Sequence, residues 1–87
     1  MSQSNNVEDL LQERERTHGR FELQGARAQM LKAVARDSPD WDRLRPEQKE
    51  AIEMILTKVS RIVSGNPFAS DHWQDIRGYA ELGDRGN

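Results

Sequence analysis

The chain contains no cysteine. Disulfides and thiolate metal sites are therefore unavailable to staple it, and any metal would be held by carboxylates or by the two histidines. Apolar residues are scarce at 34%, against 32% charged, a polarity approaching that of disordered chains. The tryptophans and most aliphatics nevertheless fall in periodic segments, so the middle of the chain is expected to fold. A charge of one sign is missing too: 13 Lys+Arg against 15 Asp+Glu leave a net charge of −2 with the signs interspersed. That argues against duplex nucleic acid as a partner and for a small ligand or a protein. No apolar run approaches the ~20 residues that span a bilayer, and MSQSNNVEDL lacks the charged and apolar regions of a signal peptide. A cytoplasmic protein without membrane association is expected. Repeats are absent, and the polar ends at residues 1–5 and 83–87 are expected to be disordered or frayed, leaving 6–82 as one helical domain.

At 87 residues a single core supplies only a few kcal/mol of net stability, roughly 3–5 below about 80 residues. With no covalent or thiolate staple, self-association is the remaining aid.

What is present is helical periodicity. Val7, Leu10 and Leu11 lie on one side of a first helix, about Val7 to Arg16, which ends at the Thr17-His18-Gly19 break. A second helix is expected from Phe21 to Arg36, with Leu23, Ala26, Met30, Ala33 and Val34 on one buried face and Phe21, Ala28, Leu31 and Ala35 on nearly the opposite one. A helix apolar on two sides is buried on two sides, which in so small a chain points to a partner subunit. Trp41 and Leu44 are expected to anchor the linker DSPDWDRLRP. Pro46, suited to a first helical position, opens the strongest helix, which carries Ile52, Ile55, Leu56, Val59, Ile62 and Val63 on one stripe and stops before Gly65-Asn66-Pro67. Ser70 is a candidate cap for a last helix with Asp71 in its first turn and Trp73, Ile76, Tyr79 and Ala80 on its apolar face. The expected fold is all-α: a small bundle of about four helices completed by homo-oligomerisation.

At about 100° per residue, Asp71, Asp75, Gly78 and Leu82 share the other face of that last helix, and Gly78 leaves room for close approach. On the third helix Glu50, Met54, Thr57 and Arg61 make a row away from the apolar stripe, flanked by Glu53 and Lys58. Hard cations such as Mg²⁺ take oxygen ligands, commonly one or two carboxylates with substrate phosphates and water, so acids on two adjacent helices suit one. Lys58 and Arg61 would neutralise phosphate oxygens. The plainer alternative is a solvated helix face, with Asp71 as an N-terminal helix charge, His72 on the surface, and Trp73 and Tyr79 in the core.

Three blocks, RERTHGRFELQGARAQMLK, WDRLRPEQKEAIEMILTKVSRIVSGNP and DHWQDIRGYAEL, in this order over roughly residues 13 to 82, resemble a group of short phage and prophage proteins. Those in turn resemble minimal relatives of the MazG-type all-α nucleoside triphosphate pyrophosphohydrolases. That superfamily typically carries Glu-Glu-x-x-Glu followed by Glu-x-x-Asp, where this chain has Glu50-x-x-Glu53 and Asp71-x-x-x-Asp75. The resemblance implies Glu50, Glu53, Asp71 and Asp75 as Mg²⁺ ligands, with Lys58 or Arg61 on phosphate. In an enzyme of that kind metal-bound water would attack between the α and β phosphates with Glu53 as base, releasing a nucleoside monophosphate and pyrophosphate. Phe21, Trp73 or Tyr79 would stack on the nucleobase. Two other classes stay open. One is a phage anti-defence protein that sequesters a nucleotide-derived signal without chemistry, favoured by the depleted acidic motif; the other is an adaptor that binds a host protein through the two-sided second helix.

Overall fold

The structure is a computed structural model that describes the backbone of residues 3–85 and the side chains of residues 6–85. It is all-helical: α1 (Gln3–His18), α2 (Phe21–Arg36), a 3-10 turn (Trp41–Arg43), α3 (Pro46–Ser64) and α4 (Ser70–Asp84), with no strand among the described residues. The bounds of α2 and α3 match the spacing. The first helix is longer than its apolar residues suggested, starting at Gln3 and running through the expected break to His18, and α4 continues past Leu82 to Asp84. Residues 1, 2, 86 and 87, parts of the ends expected to fray, lie outside the described residues.

Pro46 opens α3, and the Gln48 side chain reaches back to accept the Arg45 N–H at 3.0 Å. The helix closes where the Gly65 N–H bonds the Arg61 carbonyl at 2.9 Å. Ser70 does not cap α4; it is the first helical residue, Ala69 precedes it without a side-chain cap, and the Asn66 carboxamide shapes the turn by accepting the Phe68 N–H at 2.9 Å.

α3 is the axis: it packs most extensively on α4, then on α2, while α1 touches its neighbours least. The buried set is thin, with Ala28, Ala51 and Ile62 joined by the polar Gln24, Ser60 and His72. Gln24 and Ser60 satisfy one another. The Gln24 amide donates to the Ser60 hydroxyl at 3.0 Å, and that hydroxyl donates to the Thr57 carbonyl at 2.6 Å.

Several expected faces turn out differently. On α2 the inward face is Gln24 and Ala28, with Leu31 and Ala35 half-buried, whereas Leu23, Ala26, Met30, Ala33 and Val34 all face outward. The two stripes are equally periodic, and the one with the small residues at its centre lies against α3. Phe21 is exposed despite its position in the inward stripe, Val63 lies outside the α3 core, and Trp73 is only half-covered. His72, expected on the surface, is 3% exposed.

The two helix turns lock together. Gly19 adopts φ +84° and ends α1 with its N–H on the Glu15 carbonyl at 2.8 Å. Across from it, Gly65 leaves space for the backbone of residues 17–19, and the Asn66 N–H bonds the Thr17 carbonyl at 3.1 Å. This junction brings the end of α1 against α4.

Candidate functional site

The junction creates a cleft of about 220 Å³ lined by Thr17 and His18 from α1, Lys58 from α3, and Asp71, His72 and Asp75 from α4. The shared aspartate face read from helical spacing is therefore one wall of it. The Lys58 ammonium donates to Asp75 at 2.8 Å; the lysine side chain is 12% exposed and the carboxylate's 47%. The hydrogen bond from Lys58 and its charge hold the Asp75 carboxyl below the usual range. An ammonium has three donors, of which Asp75 takes one.

Two histidines form the back of the cleft, ring centroids 4.8 Å apart and edge to face at 89°. A carbonyl only accepts, so His72 Nε2–H donates to the Thr17 carbonyl at 3.3 Å, the same oxygen that takes the Asn66 N–H. The Thr17 hydroxyl donates to the Arg14 carbonyl at 3.2 Å and stands 2.6 Å from His18 Nδ1, which then carries the proton between them. Burial, followed by the positive fields of Arg61, His72, Arg14 and Lys58, pushes His18 down to about 4. The imidazole is neutral at pH 7, with Arg14 and Lys58 lining the hollows on either side of it.

Arg61 lies beyond His18. Its side chain lines a neighbouring groove of about 530 Å³ between α2 and α3, together with Phe21, Gly25, Lys32 and Thr57. Its Nε is buried without a hydrogen-bond partner. Burial and the nearby Arg14 charge lower its pKa, while Asp75 and Tyr79 act in the opposite direction. A desolvated guanidinium beside a second cation, with an unpaired N–H, suits an anionic oxygen.

A family model matches residues 5–87, covering every residue of this arrangement. The chain belongs to the DUF6378 family, a domain of unknown function. No curated protein and no solved structure matches it.

The DUF6378 chain brings Lys58, Asp71 and Asp75 to one cleft and leaves the other expected residues elsewhere. Glu53 is turned to α2, where Arg36 clamps it with hydrogen bonds of 2.7 and 3.2 Å and lowers its pKa. Glu50 is exposed on α3, and neither glutamate lines the cleft. Among the described residues no three of His, Asp or Glu stand together as a set that could hold a metal ion. The four carboxylates of the expected Mg²⁺ site do not fit that ion within one chain. Of the aromatics, Phe21 edges a hollow of about 250 Å³ with Leu11, Arg14 and His18. Trp73 pins the α3–α4 turn by donating its indole N–H to the Pro67 carbonyl at 2.9 Å, and Tyr79 lines a hollow with Leu44, Ile52 and Ile55. The residues that periodicity did not point to are Thr17, His18 and His72, which reach the cleft only through the turn junction, and Arg14, which lines the neighbouring hollow with His18.

Proposed function

We propose that this DUF6378 protein binds a phosphate-bearing small molecule, a nucleotide or nucleotide-derived compound, around His18, and does so as a homo-oligomer. The observation that carries the reading is the Arg61 Nε–H left buried and unpaired, with Arg14 and Lys58 each lining a hollow beside His18. Lys58 is paired with Asp75, so Asp75 offsets part of this charge, and a buried guanidinium N–H without an acceptor is costly unless an anionic oxygen meets it. Lys58 would meet the outer phosphates in the cleft, Arg61 would meet a phosphate from the adjoining groove, and exposed Phe21 would offer a face to a planar base. The phage and MazG-type resemblance supports a nucleotide over other anions. Retention without turnover is the favoured form, because Glu53 is committed to Arg36 and the carboxylates form no metal set within a chain. Homo-oligomerisation is supported by the thin core and by the many large apolar side chains left in solvent.

Titration calorimetry with nucleoside mono-, di- and triphosphates, with and without Mg²⁺, tests this, with product analysis of each mixture. Affinity is expected to rise with phosphate number, and Arg61→Ala or Lys58→Ala to weaken the triphosphate about ten- to hundredfold, as loss of a charged hydrogen bond does. Absence of binding by every phosphate compound at millimolar concentration would refute the proposal.

A further inference from the structure

The outward face of α2 has the form of an unoccupied helix seam. Leu23, Ala26, Met30 and Ala33 recur at i, i+3, i+7 and i+10 with Val34 beside them, the spacing of a coiled-coil contact. All five are exposed, Met30 at 66% and Val34 at 75%. The alanines let another helix approach closely between the larger residues. A second stripe, Val7, Leu10 and Leu11, is exposed on α1, which makes few contacts within its own chain. Both helices have 16 residues.

We infer that two copies of this chain pair reciprocally, the exposed stripe of α1 in each lying on the outward seam of α2 in the other. The inference rests on the homo-oligomeric reading above and names the surfaces that carry it. Charge selects the second copy as occupant. Residues 7–13 hold Glu8, Asp9 and Glu13 and no base, whereas Arg27 borders the α2 seam one heptad before Val34 and Arg36 is held on the α3 side by Glu53. α1 on α2 therefore brings acids toward Arg27, while α2 on α2 would set Arg27 against its own copy. A two-fold axis makes both contacts at once.

The exposed area agrees with this in size. The chain presents 6378 Å², where a compact monomer of its mass would present about 5,200 Å². Its radius of gyration is 15.3 Å, against about 12 Å for a compact chain of this length. Removing the excess from two copies would bury more than about 2,000 Å², the range of permanent dimers.

The natural absence of cysteine provides a clean test. Leu10→Cys chains are mixed with Met30→Cys or Leu23→Cys chains, oxidised, and analysed by mass, alongside light scattering of the parent. All three positions are exposed, so folding is not at stake. A parent dimer is expected, with disulfides joining an α1 cysteine to an α2 cysteine in preference to like pairs, and Glu8→Lys with Glu13→Lys should raise the dimer dissociation constant at least about tenfold at low salt. A dimer that links only α2 to α2, or that ignores the charge reversal, removes this arrangement and leaves the oligomeric reading standing. A monomer at micromolar concentration removes both.

Discussion

Glycine substitutions separate the turn junction from the rest of the chain by sign. At Gly19 an alanine must hold φ +84°, which costs an L-residue about 1–2 kcal/mol. Its methyl would also sit 2.5 Å from the Ser64 carbonyl carbon and 2.8 Å from Ser64 Cβ, and closer still to the Ser64 carbonyl oxygen. Most of these neighbours are backbone and cannot rotate away, so overpacking strain of about 1–3 kcal/mol is added. The total, about 2–5 kcal/mol, is comparable with the whole net stability of a domain this small, about 3–5 kcal/mol. Gly65→Ala meets the His18 carbonyl carbon and the Gly19 nitrogen at 2.5 Å without a positive φ, so it should lose at least the steric part. Gly25 and Gly78 are helical, and a methyl there meets nothing within 4 Å; alanine should stabilise each by about 0.5–1 kcal/mol. Urea unfolding followed by circular dichroism, at one fixed protein concentration, reads all four. A Gly19→Ala protein within about 0.5 kcal/mol of the parent, the scale of a neutral surface change, would mean that the two turns do not touch.

Ser60→Ala leaves the buried Gln24 amide without its acceptor and the Thr57 carbonyl without its hydroxyl donor, and should cost about 1–3 kcal/mol in urea unfolding; recovery in the Ser60→Ala, Gln24→Leu double variant checks that the loss is desolvation. His18 gives an acid-side prediction: its folded pKa of about 4 lies below the ordinary 6.5, so the unfolded chain takes up the proton first. Its contribution is present above pH 6.5 and is lost as pH falls toward 4. His18→Gln should flatten the stability profile in that window, and an NMR titration placing His18 near 6.5 would contradict the cation-lined environment.

How much of this was legible depends on whether a feature is local. Pro46, Gly65 and the apolar stripe between them delimit α3 from neighbouring residues alone, and Asp71 and Asp75 share a face by helical arithmetic. The α2 seam shows the limit of that arithmetic. Periodicity finds two apolar stripes but not which one meets α3, and the choice fell to the stripe where Gln24 finds Ser60, a partner 36 positions away. His72 was readable in principle, since His72, Ile76, Tyr79 and Gly83 follow i, i+4, i+7 and i+11. Its residue type argued for the surface, and the acceptor that makes burial tolerable, the Thr17 carbonyl, lies 55 positions away. Glu53 was misplaced for the same reason: nothing near it in sequence reveals Arg36 across the helix pair.

The same carbonyl explains why a chain with so small a core can hold a defined cleft. Apolar burial is non-directional and fixes the register of two helices poorly. The Thr17 carbonyl instead accepts from the Asn66 N–H and from His72 Nε2–H, so one atom at the end of α1 locates both the α3–α4 turn and the first turn of α4. His18, the adjacent residue, is thereby set against His72 and beneath the cations of α1 and α3. Thr17, Gly19, Gly65, Asn66 and His72 hold the junction from buried or backbone positions, while the nearly buried Lys58 ties α3 to Asp75 on α4. A shift at the junction would therefore move the floor of the cleft and unseat α1 together.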